Sequence, residues 1–94
     1  MSTALITHSD CLKHTTPDRH PERIERLEYI LKALDNISLT RVDAPMASDS
    51  EILRIHPSKY LENLQSCEPQ IGFKSIDSDT FMSAGSLRAA YRSA

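Results

Sequence analysis

The feature that most constrains the fold is a run of apolar residues with helical spacing in the first third of the chain. Ile24, Leu27, Leu31 and Leu34 recur at intervals of three or four residues, which places them on one face of a helix. A proline opens this stretch, and proline suits the first helical turn because its missing N–H would be unpaired there. The sequence therefore predicts an amphipathic helix over residues 21–34.

Two short segments on either side of this helix have the composition of strands. Residues 4–7 are apolar and partly β-branched, and residues 39–43 alternate weakly, as strands do. Residues 8–19 hold a cluster of turn-forming residues and are predicted to be a loop. Because a helix separates the two strands, they are expected to lie parallel in one sheet with helices packed on its faces.

The second half of the chain predicts two further helices in its middle. Ser48 and Glu51 have the spacing of a capping box, which predicts a short helix that runs through Ile55. Pro57 can begin the next helix, since proline is tolerated in a first turn. The apolar residues of that helix, which are expected to point inward, are Tyr60, Leu61 and Leu64.

The last third is predicted to be loop followed by helix. Residues 68–72 and 75–81 are expected to be loops, the second because it is too polar for a core strand, and a final helix is expected from Ser83 onward. The fold class is therefore α/β with the order β-α-β-α-α-loop-α, in a single domain over residues 1–94. Two strands are few for such a sheet, which suggests part of a larger fold. The apolar face of the final helix consists of Leu87, Ala90, Tyr91 and Ala94.

Composition narrows the class of protein. A net charge of −2 argues against a nucleic-acid partner, because such proteins carry a basic excess. No apolar run approaches the length of a membrane span, and the first residues lack the basic and apolar parts of a signal peptide. These features predict a cytoplasmic protein, in which a structural disulfide between Cys11 and Cys67 is not expected.

The loop ahead of the first helix contains four side chains of types that bind zinc. They are His8, Cys11, His14 and His20, separated by two, two and five residues. Such spacings occur often by chance, and no second cluster supports them. The favoured interpretation is that these side chains hydrogen-bond the loop backbone or line the edge of a pocket, so no metal is predicted here.

Two further groups of charged residues have a functional and a structural interpretation. Asp77 and Asp79 can bind a cation, orient a substrate amide or share a proton, but an Asx-turn and helix cap is the favoured alternative. Arg23 and Arg26 can clamp an anion, although pairing with the neighbouring glutamates is favoured. The spacing alone leaves these alternatives open.

Taken in order, the motifs resemble those of bacterial histone-deacetylase-like proteins, a group that includes acetoin-utilization proteins and acetylpolyamine amidohydrolases. Four segments carry the resemblance with similar gaps. They are Thr7-His8 with Cys11-Leu12 and His14, then His20-Pro21-Glu22-Arg23 with Arg26-Leu27, then Ile55-His56 with Tyr60-Leu61, and finally Ile76-Asp77-Ser78-Asp79-Thr80 with Gly85-Ser86 and Ala89-Ala90.

The resemblance implies a zinc-dependent amidohydrolase of the arginase/deacetylase fold, which has a larger parallel sheet between helical layers. In that family zinc activates a water for attack on the acetyl-amide carbonyl. Asp79 would correspond to the acidic residue at the pocket rim that holds the substrate, and Arg26 to the arginine of the internal channel. Positions of the family motif with no assigned role are His20, Pro21, Glu22, Arg23 and Asp77.

The sequence also departs from the family pattern. The family's tandem histidines and zinc ligands lie downstream of the matched segment, and the 94 residues contain no His-His dipeptide. Arg19 stands where the family often has glycine, and Ile24 where it often has proline. The expectation is a truncated module, similar to the N-terminal third of a deacetylase domain, that is silent alone and holds no cofactor. The alternatives are a fragment that becomes active with the rest of the fold, or a small metal-binding protein.

Such a module is expected to act, if at all, by self-association or by binding an unidentified protein partner, and self-association is the more specific expectation. Two strands leave unpaired edges, which soluble proteins cover or pair, and the last helix leaves an apolar face without a partner. A second copy related by a two-fold axis would cover both without leaving a free patch. The sequence therefore predicts a homo-oligomer, most simply a dimer, with Leu87 and Tyr91 in the interface.

Overall fold

The computed structural model describes residues 2–94 and has an α/β architecture with a short parallel sheet and flanking helices. This confirms the predicted fold class. The elements are β1 (Ala4–Thr7), a 3-10 helix (Ser9–Lys13), α1 (Ile24–Leu34), β2 (Thr40–Asp43), α2 (Asp49–Ile52), α3 (Ser58–Cys67), β3 (Lys74–Ser75), β4 (Phe81–Met82) and α4 (Ser86–Ser93). No helix within residues 2–94 is long and apolar enough to cross a membrane.

The strands β1 and β2 pair in parallel, as predicted, with α1 as the crossover between them. The N–H of Ala44 extends the ladder by donating to the carbonyl of Thr7 at 2.8 Å. Ile6 and Val42 are register partners, so they lie side by side on one face of the sheet. They are 63% and 45% exposed, which shows that this face is largely uncovered by residues 2–94.

The helix α1 begins at Ile24, three residues later than predicted. The N–H of Glu22 donates to Nδ1 of His20 at 3.1 Å, and the Thr16 hydroxyl donates to the carbonyl of Glu22. These bonds hold residues 20–22 in a turn, and Arg23 then caps the helix in an extended conformation. Pro21 therefore precedes the helix rather than opening it.

The predicted apolar face of α1 is the side that packs inward. All four of its residues are partly buried, whereas the rest of the helix is exposed. One of the two expected charge pairs forms, with Arg26 Nη1 at 2.9 Å from Glu22 Oε2. Both side chains are exposed, so the pair contributes about 0–1 kcal/mol. No salt bridge joins Glu28 to Lys32 within residues 2–94.

The capping box at the start of α2 is confirmed. Ser48 Oγ accepts from the Glu51 N–H at 3.2 Å, and the Glu51 carboxylate accepts from the Ser48 N–H at 2.9 Å. The helix ends at Ile52 rather than Ile55. In α3, Leu61 is buried as predicted, but Tyr60 is 48% exposed because its ring stacks on His56 at the outer surface.

A small antiparallel hairpin, β3–β4, occupies the segment that was predicted to be a loop. Lys74 pairs with Met82, and the N–H of Ile76 donates to the carbonyl of Thr80 at 2.8 Å. The polar residues form the turn of the hairpin and not its strands, so polarity led to the wrong prediction. Met82 is buried beneath the hairpin.

The helix α4 begins at Ser86 rather than Ser83 because its N-terminus is capped from outside the helix. Gly85 is the N-cap residue and has φ of +97°, a left-handed conformation that favours glycine. The Glu68 carboxylate accepts from the N–H groups of Gly85 at 3.0 Å and Leu87 at 2.8 Å. A negative charge at this end also complements the helix dipole.

A buried ion pair connects α4 to the 3-10 helix. The Asp10 carboxylate, 6% exposed, accepts from Arg92 Nε at 3.1 Å, and Arg92 Nη1 donates to the carbonyl of Ala44 at 2.9 Å. Burial raises the pKa of Asp10, but the bond from Arg92 and the charges of His8, Lys13 and Arg92 outweigh it, so the pKa lies below its usual range. The buried apolar residues nearby are Ala44, Leu61, Met82 and Ala89.

Candidate functional site

The two motifs that carry most of the family resemblance meet in space. His20 ends the loop before α1, and Asp79 lies in the turn of the β3–β4 hairpin. His20 Nε2 is 2.6 Å from the carbonyl oxygen of Asp79. The imidazole also packs edge-on against the Phe81 ring, with centroids 5.5 Å apart and planes at 89°. The chain therefore brings the His-Pro-Glu-Arg turn and the Asp-x-Asp-Thr turn into one cluster.

The two aspartates of the hairpin turn have different environments. Asp77 Oδ1 accepts from the N–H of Asp79 at 2.9 Å, which is the Asx-turn that was the favoured interpretation, although no helix follows directly. The Asp79 N–H and the Thr80 hydroxyl both lower the pKa of Asp77. Asp79 is exposed, and its carboxylate has no hydrogen bond or salt bridge to another of residues 2–94.

Arg26 lines a cavity of about 440 Å³ between α1 and α4. Cys11, His14, Arg23 and Ser86 also contribute to its wall. The guanidinium of Arg26 is held by the Glu22 carboxylate at 2.9 Å, and Arg23 lies 4.0 Å from a Glu25 carboxylate oxygen. Both arginines are thus paired with neighbouring glutamates, as the favoured interpretation had it, while the role of Arg26 in a channel stays a prediction.

A buried polar network that the sequence did not suggest forms the back of this cavity. His14 Nδ1 is 2.6 Å from Ser86 Oγ, and Ser86 Oγ accepts from the Ser83 N–H at 2.7 Å. Ser83 Oγ in turn accepts from the N–H of Thr15 at 3.0 Å. Ser83 and Ser86 are 3% and 6% exposed. The network fixes the loop before α1 on the start of α4.

The side chains of zinc-binding type in the N-terminal loop do not come together, and its three histidines make separate contacts. His8 Nδ1 accepts from the Asp10 N–H at 3.0 Å, His14 contacts Ser86, and both nitrogens of His20 are engaged. Within residues 2–94 no three His, Cys, Asp or Glu side chains come together in a way that could hold a metal ion. The donor set that the structure describes therefore does not fit zinc.

The departure at Arg19 has a structural counterpart. Arg19 has φ of +67°, a left-handed conformation, in a turn closed by the His20 N–H donating to the Pro17 carbonyl at 3.1 Å. Glycine adopts this conformation without a steric penalty, which explains why the family often has glycine at this position. In this chain arginine adopts the left-handed conformation at that position.

The parallel strand pair, its crossover helix and the cluster around His20 and Asp79 define part of an α/β domain of the arginase/deacetylase type. The family model of the histone deacetylase domain matches residues 20–94. The chain belongs to the histone deacetylase domain family, as the motifs predicted.

Curated relatives agree with this assignment. The chain is 33% identical over 66 residues to type-2 histone deacetylase 1 of Dictyostelium discoideum, which covers 64% of the chain and 4% of that protein. It is 30% identical over 91 residues to a probable deacetylase of Archaeoglobus fulgidus, which covers 90% of the chain and 25% of that protein. The chain thus spans a quarter or less of these relatives' length, and a bacterial origin stays a prediction.

Proposed function

We propose that this chain is a deacetylase-domain module that carries the rim acid Asp79 and the channel arginine Arg26 and has no turnover of its own. The observation that carries the proposal is the hydrogen bond between His20 and Asp79, which joins two family motifs at one surface. In a whole family domain the reaction would be the zinc-dependent hydrolysis of acetyl-lysine or acetylpolyamine amides. In such a whole domain the residues at the positions of Asp79 and Arg26 would contact the substrate, and other residues would hold the metal.

The chemistry of the reaction supports the proposed silence. Amide hydrolysis requires an activated water and a group that stabilises the developing oxyanion. Asp79 is an exposed carboxylate and Arg26 is paired with Glu22, so neither supplies these functions. The sequence contains no His-His dipeptide to act as the family's catalytic pair.

The test is a mixing experiment. The chain is combined with a second chain that carries the segment following this one in a longer family member, including that member's zinc ligands. We expect no turnover beyond that of the second chain alone. Zinc-dependent turnover that needs both chains would replace this proposal with the alternative of a complementing fragment, and an Asp79→Asn variant would then show whether the rim acid takes part.

We further propose that the module self-associates, most simply as a two-fold dimer. Ile6 and Val42 leave an apolar strip on the sheet, next to a groove of about 600 Å³ whose wall includes Ile6, Leu87 and Tyr91. Leu87 and Tyr91 are partly buried, and the Tyr91 hydroxyl donates to Asp49 at 2.6 Å. Their remaining surface, continuous with that strip, is available to a second copy, and each apolar side chain contributes about 1.5–3 kcal/mol when fully buried.

Light scattering after size exclusion at micromolar concentration tests the dimer. A Leu87→Asp variant should dissociate, whereas Ile71→Asp, on a loop where Ile71 is 92% exposed, serves as the matched control and should not. A folded wild-type monomer of 10.6 kDa would contradict the proposal.

We also expect a cytoplasmic location. We expect no nucleic-acid partner, in keeping with the net charge of −2.

A further inference from the structure

We infer that His20 is a positioning residue that, together with Asp77, holds the backbone of Asp79 and thereby fixes the direction in which its side chain leaves the hairpin turn. His20 Nε2 holds the carbonyl of Asp79 at 2.6 Å, and Asp77 Oδ1 holds its N–H at 2.9 Å. These groups belong to the two peptide planes that flank the Asp79 Cα atom. With both planes held, the Cα–Cβ bond has a fixed direction, and the carboxylate stays free to meet a ligand.

The contacts of His20 determine its tautomer. A carbonyl oxygen can only accept, so Nε2 must carry the hydrogen in the bond to Asp79. The Glu22 N–H donates to Nδ1, so Nδ1 must be without a hydrogen. These two contacts fit the Nε2–H tautomer of His20, and the edge contact with Phe81 keeps the ring in this orientation.

The same turn also reaches the cavity between α1 and α4. Glu22 donates its N–H to His20, while its carboxylate accepts from Arg26 Nη1 at 2.9 Å. We call the contacts of His20 and Asp77 with the Asp79 backbone the Asp79 clamp. Glu22 thus connects this clamp to Arg26 in the cavity wall. Glu22 therefore contacts both the histidine that holds the surface acid and the arginine of the cavity wall.

The clamp gives a physical reason for two of the motif positions that had no assigned role, His20 and Asp77. An acidic residue on a mobile hairpin turn would sample several backbone positions, and ordering it on binding would cost free energy. Holding the backbone beforehand lowers that cost, as a preorganised site requires. The part of this inference that concerns a substrate rests on the function proposed above; the clamp itself does not.

Two substitutions of His20 distinguish the contribution of its N–H donor from the contribution of its aromatic ring. His20→Gln can place an amide N–H near the position of Nε2, while His20→Phe keeps a ring beside Phe81 and removes both polar atoms. Hydrogen exchange at the Asp79 amide and the three-bond couplings that report its χ1 angle are measured by NMR on the whole chain. His20→Phe removes the bond that holds the Asp79 carbonyl and so loosens the turn in which the Asp79 N–H bonds Asp77 Oδ1. We therefore expect exchange at the Asp79 amide to speed up by as much as about fivefold, the equivalent of one ordinary hydrogen bond, and χ1 to average. His20→Gln should stay within about twofold of wild type.

His56→Phe is the matched control, because His56 stacks on Tyr60 away from the hairpin and should leave Asp79 unchanged. Equal behaviour of the two His20 variants, or no change in either, would overturn the inference. If the variants do not fold, nitrogen-15 NMR of wild-type His20 near pH 8, above the ordinary histidine pKa of about 6.5, still decides it. The Nε2–H tautomer is expected, and Nδ1–H would overturn the clamp. None of these measurements uses a substrate, so their failure is distinguishable from failure of the proposed function.

Discussion

Replacing Gly85 with alanine should destabilise the protein strongly, because two separate penalties meet at this residue. Gly85 has φ of +97°, a region in which an L side chain costs about 1–2 kcal/mol. A Cβ atom built there would lie 2.9 Å from Lys13 Cβ and 3.2 Å from the Lys13 carbonyl oxygen. The carbonyl belongs to the backbone of the 3-10 helix, so α4 and that helix would have to move apart.

The overlap adds a cost to the conformational penalty. Overpacking typically costs about 1–3 kcal/mol, so Gly85→Ala should lose about 2–5 kcal/mol in total. At roughly 5 °C per kcal/mol for a domain of 94 residues, the melting temperature should fall by about 10–25 °C. Separating α4 from the 3-10 helix would also stretch the Asp10–Arg92 pair at 3.1 Å.

Gly72 provides the matched control for this prediction. It also has positive φ, +73°, but a Cβ atom there would meet nothing within 4 Å. Gly72→Ala should therefore incur only the conformational penalty of about 1–2 kcal/mol, and its melting temperature should fall by about 5–10 °C. Circular dichroism of both variants tests the difference. Equal losses in the two would refute the argument that contact between α4 and the 3-10 helix makes Gly85 necessary.

Three further outcomes follow from buried and capping residues. Leu61→Ala should lower the free energy of unfolding by about 2–3 kcal/mol, measured by urea denaturation, whereas Ile55→Ala, with Ile55 84% exposed, should change it by less than about 0.5 kcal/mol. Glu68→Ala removes the carboxylate that caps α4 and should cost about 0.5–2 kcal/mol, with reduced α4 protection in hydrogen exchange. Because the pKa of Asp77 lies below its ordinary value of 3.8, its stabilisation is complete above that pH and is lost as pH falls through the folded-state pKa. Asp77→Asn should then be less stable than wild type at neutral pH, and urea midpoints of the two should converge in acid.

The parts of the fold that the sequence predicted are those with local signals. The apolar face of α1, the capping box of α2 and the strand at residues 4–7 all follow from spacing or composition within a few residues. The parallel pairing followed from the helix between the strands. Motif order predicted the family, which the match over residues 20–94 confirms.

The wrong predictions concern elements whose ends are determined by contacts with residues outside the element. The starting residue of α4 depends on Glu68, which lies in a separate loop, and that of α1 depends on bonds from Thr16 and His20. The β3–β4 hairpin was missed because its strands have two residues each, too few to show alternation. At the candidate site, no local pattern predicted the contact of His20 with Asp79, because it joins residues that are far apart in the chain.

The most direct test of the account is turnover and zinc content of the purified chain alone. Acetyl-lysine and acetylpolyamine substrates are assayed with and without added zinc, and bound metal is determined by elemental analysis. The account predicts no turnover above the metal-free control and no stoichiometric zinc, because the histidines of the N-terminal loop are engaged separately. Zinc-dependent turnover, or one tightly held zinc per chain that is lost in a His14→Ala variant, would contradict it.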